Sequence, residues 1–64
     1  MRIDRKKLTI ALLDADLTQK QLSELTGISR ATINGVVNGR SCSNQTGRTI
    51  AKALKMEIND LIEQ

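Results

Sequence analysis

The segment Leu17–Arg40 constrains the fold of this chain more than any other stretch, because it contains two helix starts and a turn between them. Thr18 and Gln21 have the spacing of a capping box, in which each side chain bonds the other residue's backbone N–H. Gly27 follows where a helix needs a left-handed residue to end. Ser29 can cap a second helix. The segment is therefore predicted to be a helix-turn-helix.

The second helix of this motif has two chemically different faces. Ile33, Val36 and Val37 recur at helical spacing and predict a buried stripe. The opposite face is small, polar and basic, and it includes Arg30 and Asn34. DNA-binding proteins insert an exposed helix of this kind into the major groove, so the pattern indicates a contact with double-stranded DNA.

The rest of the chain also indicates helices. It has no proline and no aromatic residue, and Leu, Ala, Ile, Lys, Gln and Glu dominate its composition. We therefore predict one all-α domain, residues 1–64, built as a compact five-helix bundle with the helix-turn-helix at its centre. The predicted helices span about residues 4–15, 18–25, 29–38, 46–55 and 59–64.

Helical spacing also predicts which leucines and isoleucines are buried. Leu22 and Leu25 are expected to face the core from the second helix. Ile10 and Leu13 fall off the apolar face of the first helix, so they are either partly exposed or reserved for a partner.

Missing residue types exclude several classes of function. The 64 residues include no histidine, one cysteine and no aromatic side chain. A zinc site, a histidine-assisted nucleophile and a base-stacking platform are therefore not expected. We predict no enzyme activity, no cofactor, no metal and no small-molecule ligand. The lone Cys42 is expected to be a reduced thiol. No segment resembles a signal peptide or a membrane span. We therefore expect a cytoplasmic protein without a membrane partner.

The net charge of +3 is modest, but the charges are unevenly distributed. Basic residues lie at the N-terminus and around the motif, whereas Glu57, Asp60 and Glu63 fall in the last eight residues. This pattern favours a basic working face and an acidic far end. A solvated mixed surface is the alternative, and for the N-terminal cations (Arg2, Arg5, Lys6 and Lys7) a frayed terminus is equally compatible with the sequence.

Several short stretches, taken in order, resemble the Cro/CI-type (XRE-like) helix-turn-helix family of phage and bacterial transcription regulators. They are Leu17-Thr18-Gln19, Leu22, Gly27-Ile28-Ser29, Thr32-Ile33, Asn38-Gly39, Ile50-Ala51-Lys52-Ala53-Leu54, Met56 and Asp60-Leu61-Ile62. The resemblance covers about residues 5–62. It implies a lambda-repressor-like fold, double-stranded DNA as the partner, a homodimer, and a role as a small Cro-like repressor.

The resemblance also assigns DNA contacts by position. The base-reading positions match Ser29, Arg30, Ala31, Asn34 and Gly35. The phosphate-contacting positions match Gln19, Asn38 and Arg40, and Thr18, Ser43 and Asn44 are further candidates to hold phosphates. Arg30 is the best candidate to read a guanine, with a phosphate contact or a solvated side chain as its alternatives.

Three positions depart from the family pattern. Leu12 and Val37 replace an Arg and a Glu that pair between the first and third helices, so we predict that they touch directly. Gly35 lies inside the recognition helix, where it costs about 1 kcal/mol relative to alanine. Gly47 replaces a buried leucine or similar residue, which predicts loose packing at the start of the fourth helix.

A second function is compatible with the same fold. The chain could be a protein-interaction module, such as an antirepressor or antitoxin, with weak or no DNA binding. The absence of a bulky apolar anchor on the polar face favours DNA, because protein interfaces usually centre on such a residue.

Overall fold

The computed structural model describes residues 1–63, and in them four α-helices precede a single 3₁₀ turn. The elements are α1 (Arg5–Asp14), α2 (Gln19–Thr26), α3 (Arg30–Val37), α4 (Asn44–Ala53) and the 3₁₀ turn Ile58–Asp60. The first three helices begin and end within one residue of the predicted bounds. The all-helical class is confirmed, whereas the prediction of five helices is wrong.

Each of these α-helices begins with a side-chain cap. Asp4, Thr18, Ser29 and Ser43 each accept a hydrogen bond from the backbone N–H three residues later, at 3.0 to 3.2 Å. Each bond satisfies one of the free N–H groups of a first turn, and its loss typically costs about 1 kcal/mol. The caps therefore explain why four short helices start where they do.

The turn between α2 and α3 is fixed by side chains as well as by glycine. Gly27 has a φ of 74°, the left-handed conformation predicted for it. The Ser23 hydroxyl donates to the carbonyl oxygen of Ile28, and the Thr26 hydroxyl accepts from the Ile28 N–H at 3.2 Å. Ile28 packs partly buried against the core. The turn thus has both the backbone freedom and the bonds that it needs.

Leu25 is exposed, which corrects the expectation that it faces the core. Its side chain is 62% exposed, whereas Leu22 is fully buried. Around Leu22 the inward side of α2 is completed by Ser23 and Thr26, which are partly buried. Their hydroxyls bond the backbone near the turn, so they can occupy inward positions without unpaired polar atoms. Leu25 is left on the outer side of the helix.

Helix α4 begins and ends two residues earlier than predicted. The start follows from Ser43, whose cap places the first helical residue at Asn44. The end follows from Lys55, which has a φ of 57°. The Met56 N–H then donates back to the Ala51 carbonyl oxygen at 2.9 Å, closing the helix with a left-handed cap.

The predicted fifth helix over residues 59–64 is not formed in the described part of the chain. The 3₁₀ turn Ile58–Asp60 occupies its start, and Ile62 then forms a single antiparallel bridge with Ile3. The last predicted residue of that helix, Gln64, lies outside the described residues. The C-terminal segment therefore pairs with the N-terminal segment where a helix was expected.

Backbone pairing with the N-terminal segment explains this difference. The Asp4 N–H donates to the Leu61 carbonyl oxygen at 2.7 Å, and the Glu63 N–H donates to the Arg2 carbonyl oxygen at 2.9 Å. A helix of six residues is too short to be stable by itself. Pairing with a neighbouring segment satisfies the same backbone groups, and it also brings apolar side chains into the core.

The N-terminal segment is itself part of the fold. The Met1 nitrogen donates to the Cys42 carbonyl oxygen, and the Cys42 N–H donates to the Met1 carbonyl oxygen, both at 2.8 Å. Ile3 is 1% exposed. The Met1 side chain covers Gly47, where an added Cβ would collide with the Met1 sulfur. Gly47 is buried, so the loose packing predicted there is replaced by this contact.

An apolar cluster lies where these elements meet. Helix α2 packs on α3 and α4, α1 packs on α3, and α4 packs on the 3₁₀ turn. Its buried members are Ile3, Leu8, Ala11, Leu12, Leu22, Ile33, Val36, Ile50, Ala51 and Leu61. Val37 packs against the edge of this cluster, and its direct contact with Leu12 stays a prediction. None of the helices in residues 1–63 has the length and apolar character needed to cross a bilayer.

Candidate nucleic-acid interface

Helix α3 presents its polar side to the outside of the molecule. Ile33 and Val36 are buried, at 0% and 2% exposure, and hold the helix against the core. Arg30, Ala31 and Asn34 are exposed. The Arg30 guanidinium has no hydrogen-bond or ion-pair partner within the described chain. The face predicted to read bases is therefore open, and its cation is not engaged elsewhere.

The N-terminal end of α3 is shaped by a pair of hydroxyl groups. Ser29 Oγ accepts from the Thr32 N–H at 3.2 Å and donates its hydrogen to Thr32 Oγ1 at 2.9 Å. Ser29 is exposed but has only an acceptor site left to offer. Thr32, also exposed, keeps a hydroxyl hydrogen and becomes a candidate donor that the sequence reasoning missed. The Ser-x-x-Thr spacing was the available signal.

An amide chain links the two helices of the motif. Asn34 Nδ2 donates to Gln19 Oε1 at 3.4 Å, and Asn38 Nδ2 donates to Asn34 Oδ1 at 2.9 Å. Gln19 is the first residue of α2, and Asn38 follows the last residue of α3. The chain fixes the Asn34 amide while leaving it one free donor and one free acceptor site.

The predicted phosphate-contacting residues surround this face at helix ends. Thr18 is exposed, and its hydroxyl keeps its hydrogen after accepting from Gln21 in the capping box. Ser43 and Asn44 are exposed at the start of α4, where Ser43 Oγ also donates to Thr46 Oγ1 at 3.0 Å. Ser43, like Ser29, therefore offers only an acceptor site.

Gly35 and Arg40 lie against each other at the C-terminal end of α3. A Cβ added to Gly35 would come within 3.3 Å of Arg40 Cδ. Arg40 is exposed, and it shares a groove with Ala31 and Thr32. A position predicted to read bases and a position predicted to hold a phosphate are therefore in direct contact.

The N-terminal cations are distributed between the turn that follows α3 and two grooves along α1. Arg2 donates to the Gly39 carbonyl oxygen at 3.0 Å, and the Arg5 stem would come within 3.1 Å of a Cβ added to Gly39. Both arginines therefore lie at the turn that follows α3. Lys6 shares a groove with the end of α3, whereas Lys7 lines a second groove, whose other residues include Asp14. No local sequence signal could reveal this arrangement, because it depends on the fold.

Burial raises the pKa of the Cys42 thiol above its ordinary value of 9.0. The thiol is partly buried beside the Met1 backbone, so it stays protonated at neutral pH and is a poor nucleophile. Cys42 lines the groove next to Arg40, yet its chemistry makes it a packing residue there.

Comparison with solved structures places this geometry among known folds. A transcriptional regulator, VanUg, superposes with a TM-score of 0.82 at 27% identity, over 97% of this chain and 83% of that one. A mutant of hydroxyethylphosphonate dioxygenase superposes with a TM-score of 0.87 at 23% identity. That match covers 100% of this chain but only 14% of the dioxygenase chain, and it shows the fold alone. No curated protein sequence matches the chain.

A protein-family model gives the decisive comparison. The model of the Cro/C1-type helix-turn-helix DNA-binding domain matches residues 7–64, which is most of the chain. The matched range includes α2, α3 and α4 with their caps, the Gly27 turn and the exposed face of α3. The chain belongs to the family of Cro/C1-type helix-turn-helix DNA-binding domains.

Proposed function

We propose that this chain is a sequence-specific regulator of transcription, a small repressor of the Cro kind that reads the DNA major groove with α3. The observation that carries the proposal is the division of α3 into a buried apolar side and an exposed polar side. The similarity to VanUg, a transcriptional regulator, supports the same role.

Base reading is assigned to the exposed side of α3. Arg30 can donate two hydrogen bonds to guanine O6 and N7, which is worth about 1–3 kcal/mol of discrimination. Asn34 has the free donor and acceptor that an adenine edge requires, and Ala31 can touch a thymine methyl group. Ser29 contributes an acceptor site, and Gly35 lies on the same face beside Arg40.

Phosphate contacts are assigned to the rim of this face. The donor groups of this set are exposed or partly exposed, and they belong to Thr18, Gln19, Asn38 and Asn44. Ser43 is not assigned to a phosphate, because its hydroxyl hydrogen is donated to Thr46. Arg5 and Lys6 extend the set, because they lie beside the end of α3. Such contacts fix the register of the protein on DNA without reading sequence.

A salt titration on random-sequence duplex DNA tests DNA binding. The logarithm of the affinity should fall linearly with the logarithm of salt concentration, by about 0.9 per phosphate contacted. A response that is flat, or an absence of binding at low salt, would contradict the proposal and favour the protein-interaction module.

The Arg30→Ala variant tests the reading role of α3. On a duplex selected from a random pool, we expect a loss of about 5- to 150-fold, from 1–3 kcal/mol per bidentate contact. The affinity of this variant for random DNA should fall less. Lys55→Ala is the matched control, because it removes one exposed positive charge beyond the end of α4. Equal losses on both duplexes would contradict base reading by Arg30.

We also propose that the protein binds DNA as a homodimer, because one module makes few contacts. Among the apolar residues near the C-terminus, Ile58 packs against the core and Ile62 bridges to Ile3. Ile10 and Leu13 on α1 are 57% and 73% exposed. They are exposed on one helix, so we assign the dimer contact to them.

Charge on α1 favours a second copy of this chain as the occupant. Lys7 and Asp14 line the same groove as Ile10, near opposite ends of the helix. In an antiparallel two-fold pairing of α1 helices, each Lys7 faces the Asp14 of the other copy.

Sedimentation equilibrium should show that Leu13→Lys shifts the protein to monomer. Leu25→Lys is the control at another exposed leucine, and a wild-type monomer at all concentrations would contradict the dimer.

A further inference from the structure

The turn after α3 directs Arg40 back onto that helix. Gly39 is left-handed, with a φ of 95°, and the Arg40 N–H donates to the Gly35 carbonyl oxygen at 2.9 Å. In a left-handed cap of this kind, the residue after the glycine contacts the last turn of the helix. The backbone conformation and bonding of this turn therefore place Arg40 beside α3, independently of any interaction of its side chain.

The missing side chain at Gly35 gives the Arg40 stem its place. Arg40 Cδ would lie 3.3 Å from a Cβ built at Gly35, and Arg40 Cβ and Cγ would lie within 3.9 Å. Gly35 is one turn after Ala31 and adjacent to Asn34, so it belongs to the outward face of α3. The stem of Arg40 thus occupies the position of a residue-35 side chain.

The charged end of Arg40 has no partner in the protein. Among residues 1–63, no hydrogen bond or ion pair involves its guanidinium. The side chain is exposed and lines the groove that also contains Ala31 and Thr32. A glycine inside a helix lowers folding stability by about 0.5–1 kcal/mol relative to alanine. Packing of an exposed arginine stem against it offsets little of this loss.

We propose that Arg40 contacts a base edge in the major groove, in place of the phosphate contact predicted from the sequence, and that Gly35 is the positioning residue that seats it. This inference rests on the proposed function. Arg40 supplies from the loop the side chain that α3 lacks at residue 35, and its planar fork matches guanine O6 and N7. Arg40 is then a second specificity-determining residue beside Arg30.

A double-mutant cycle tests the proposal. Gly35→Ala, Arg40→Ala and the double variant are compared with the wild type on the duplex selected with wild-type protein and on random duplex, at one salt concentration. Arg40→Ala should lose about 5- to 150-fold on the selected duplex and less on random DNA. Gly35→Ala should weaken binding to the selected duplex when Arg40 is present, and have little effect when residue 40 is alanine.

Two measurements separate positioning from folding. Gly35→Ala should keep or raise the melting temperature, because alanine favours helix and the Arg40 stem is flexible. A loss of binding in this variant then comes from the site. Arg40→Lys keeps the charge but lacks the fork, so it should retain affinity for random DNA and lose preference for the selected duplex.

Each other outcome overturns a definite part of the proposal. Equal losses on both duplexes for Arg40→Ala would make Arg40 a phosphate contact. An equal effect of Gly35→Ala with arginine or alanine at residue 40 would show that Gly35 does not position Arg40. If the wild type shows no salt-dependent binding to any duplex, the proposed function itself fails. That result can be told apart from the Arg40→Ala and Gly35→Ala outcomes, because those require a wild type that binds DNA.

Discussion

Asp4 is the residue at which charge and helix formation are most directly coupled. Its carboxylate accepts from the Lys7 N–H at 3.0 Å at the start of α1. This bond and a second backbone bond to Lys6, with the nearby positive charges, hold the pKa of Asp4 below its ordinary value of 3.8. The folded state therefore binds the proton less readily than the unfolded state does.

The lowered pKa of Asp4 predicts how stability depends on pH. Its stabilising contribution is fully present above 3.8 and is lost as the pH falls through the lower folded pKa. Asparagine caps a helix about as well but does not titrate. Urea unfolding should therefore show that the wild type loses stability relative to Asp4→Asn as the pH falls below 3.8. The same acid dependence in both proteins would contradict this assignment.

Single residues also show where sequence reasoning fails. Leu25 has the spacing of a core residue, yet Ser23 and Thr26 take the inward positions because their hydroxyls bond the turn. Hydrophobicity alone ranks these three residues in the wrong order. The bonds that reverse the order become visible only when the turn geometry is known.

At the scale of elements, helix starts could be predicted and some helix ends could not. Thr18 and Ser29 are caps with local signals, and Gly27 marks a left-handed end. Lys55 ends α4 in the same left-handed conformation without being glycine, so its sequence gives no such signal. The end of α4 was consequently placed two residues too late.

The left-handed Lys55 leads to a stability prediction. An L-residue in this conformation costs about 1–2 kcal/mol, while glycine loses about 0.5–1 kcal/mol through the entropy of the unfolded chain. Lys55→Gly should therefore gain up to about 1 kcal/mol, which raises the melting temperature by about 4–8 °C in a domain of this size. Lys55→Ala removes the charge but keeps the strained backbone, so it should not gain. Equal gains in both variants would show that charge, and not backbone strain, is responsible.

At the scale of the molecule, the exposed face of α3 was predictable and its surroundings were not. A 3.6-residue period is enough to separate Ile33 and Val36 from Arg30 and Asn34. The positions of Arg2 and Arg5 beside Gly39 depend on contacts between residues more than thirty positions apart. No periodicity or spacing in a single sequence carries such information.

The same long-range pairing makes Ile3 a core residue of the whole molecule. Its side chain is 1% exposed, and its backbone bridges to Ile62 beside the buried Leu61. Replacing a buried isoleucine with alanine typically costs about 2–5 kcal/mol. Since a domain of 64 residues has a total stability of roughly 3–10 kcal/mol, Ile3→Ala should leave the protein close to unfolding.

Ile10→Ala is the matched control for this prediction, because Ile10 is 57% exposed in the monomer. Urea unfolding at concentrations where the protein is monomeric should give a cost of about 0.5 kcal/mol or less for Ile10→Ala. If the first residues only lie on the surface, the two variants would lose similar stability. A large loss for Ile3→Ala alone would instead mean that the N-terminal and C-terminal segments unfold together with the helices, as one cooperative unit that includes the bridge between Ile3 and Ile62.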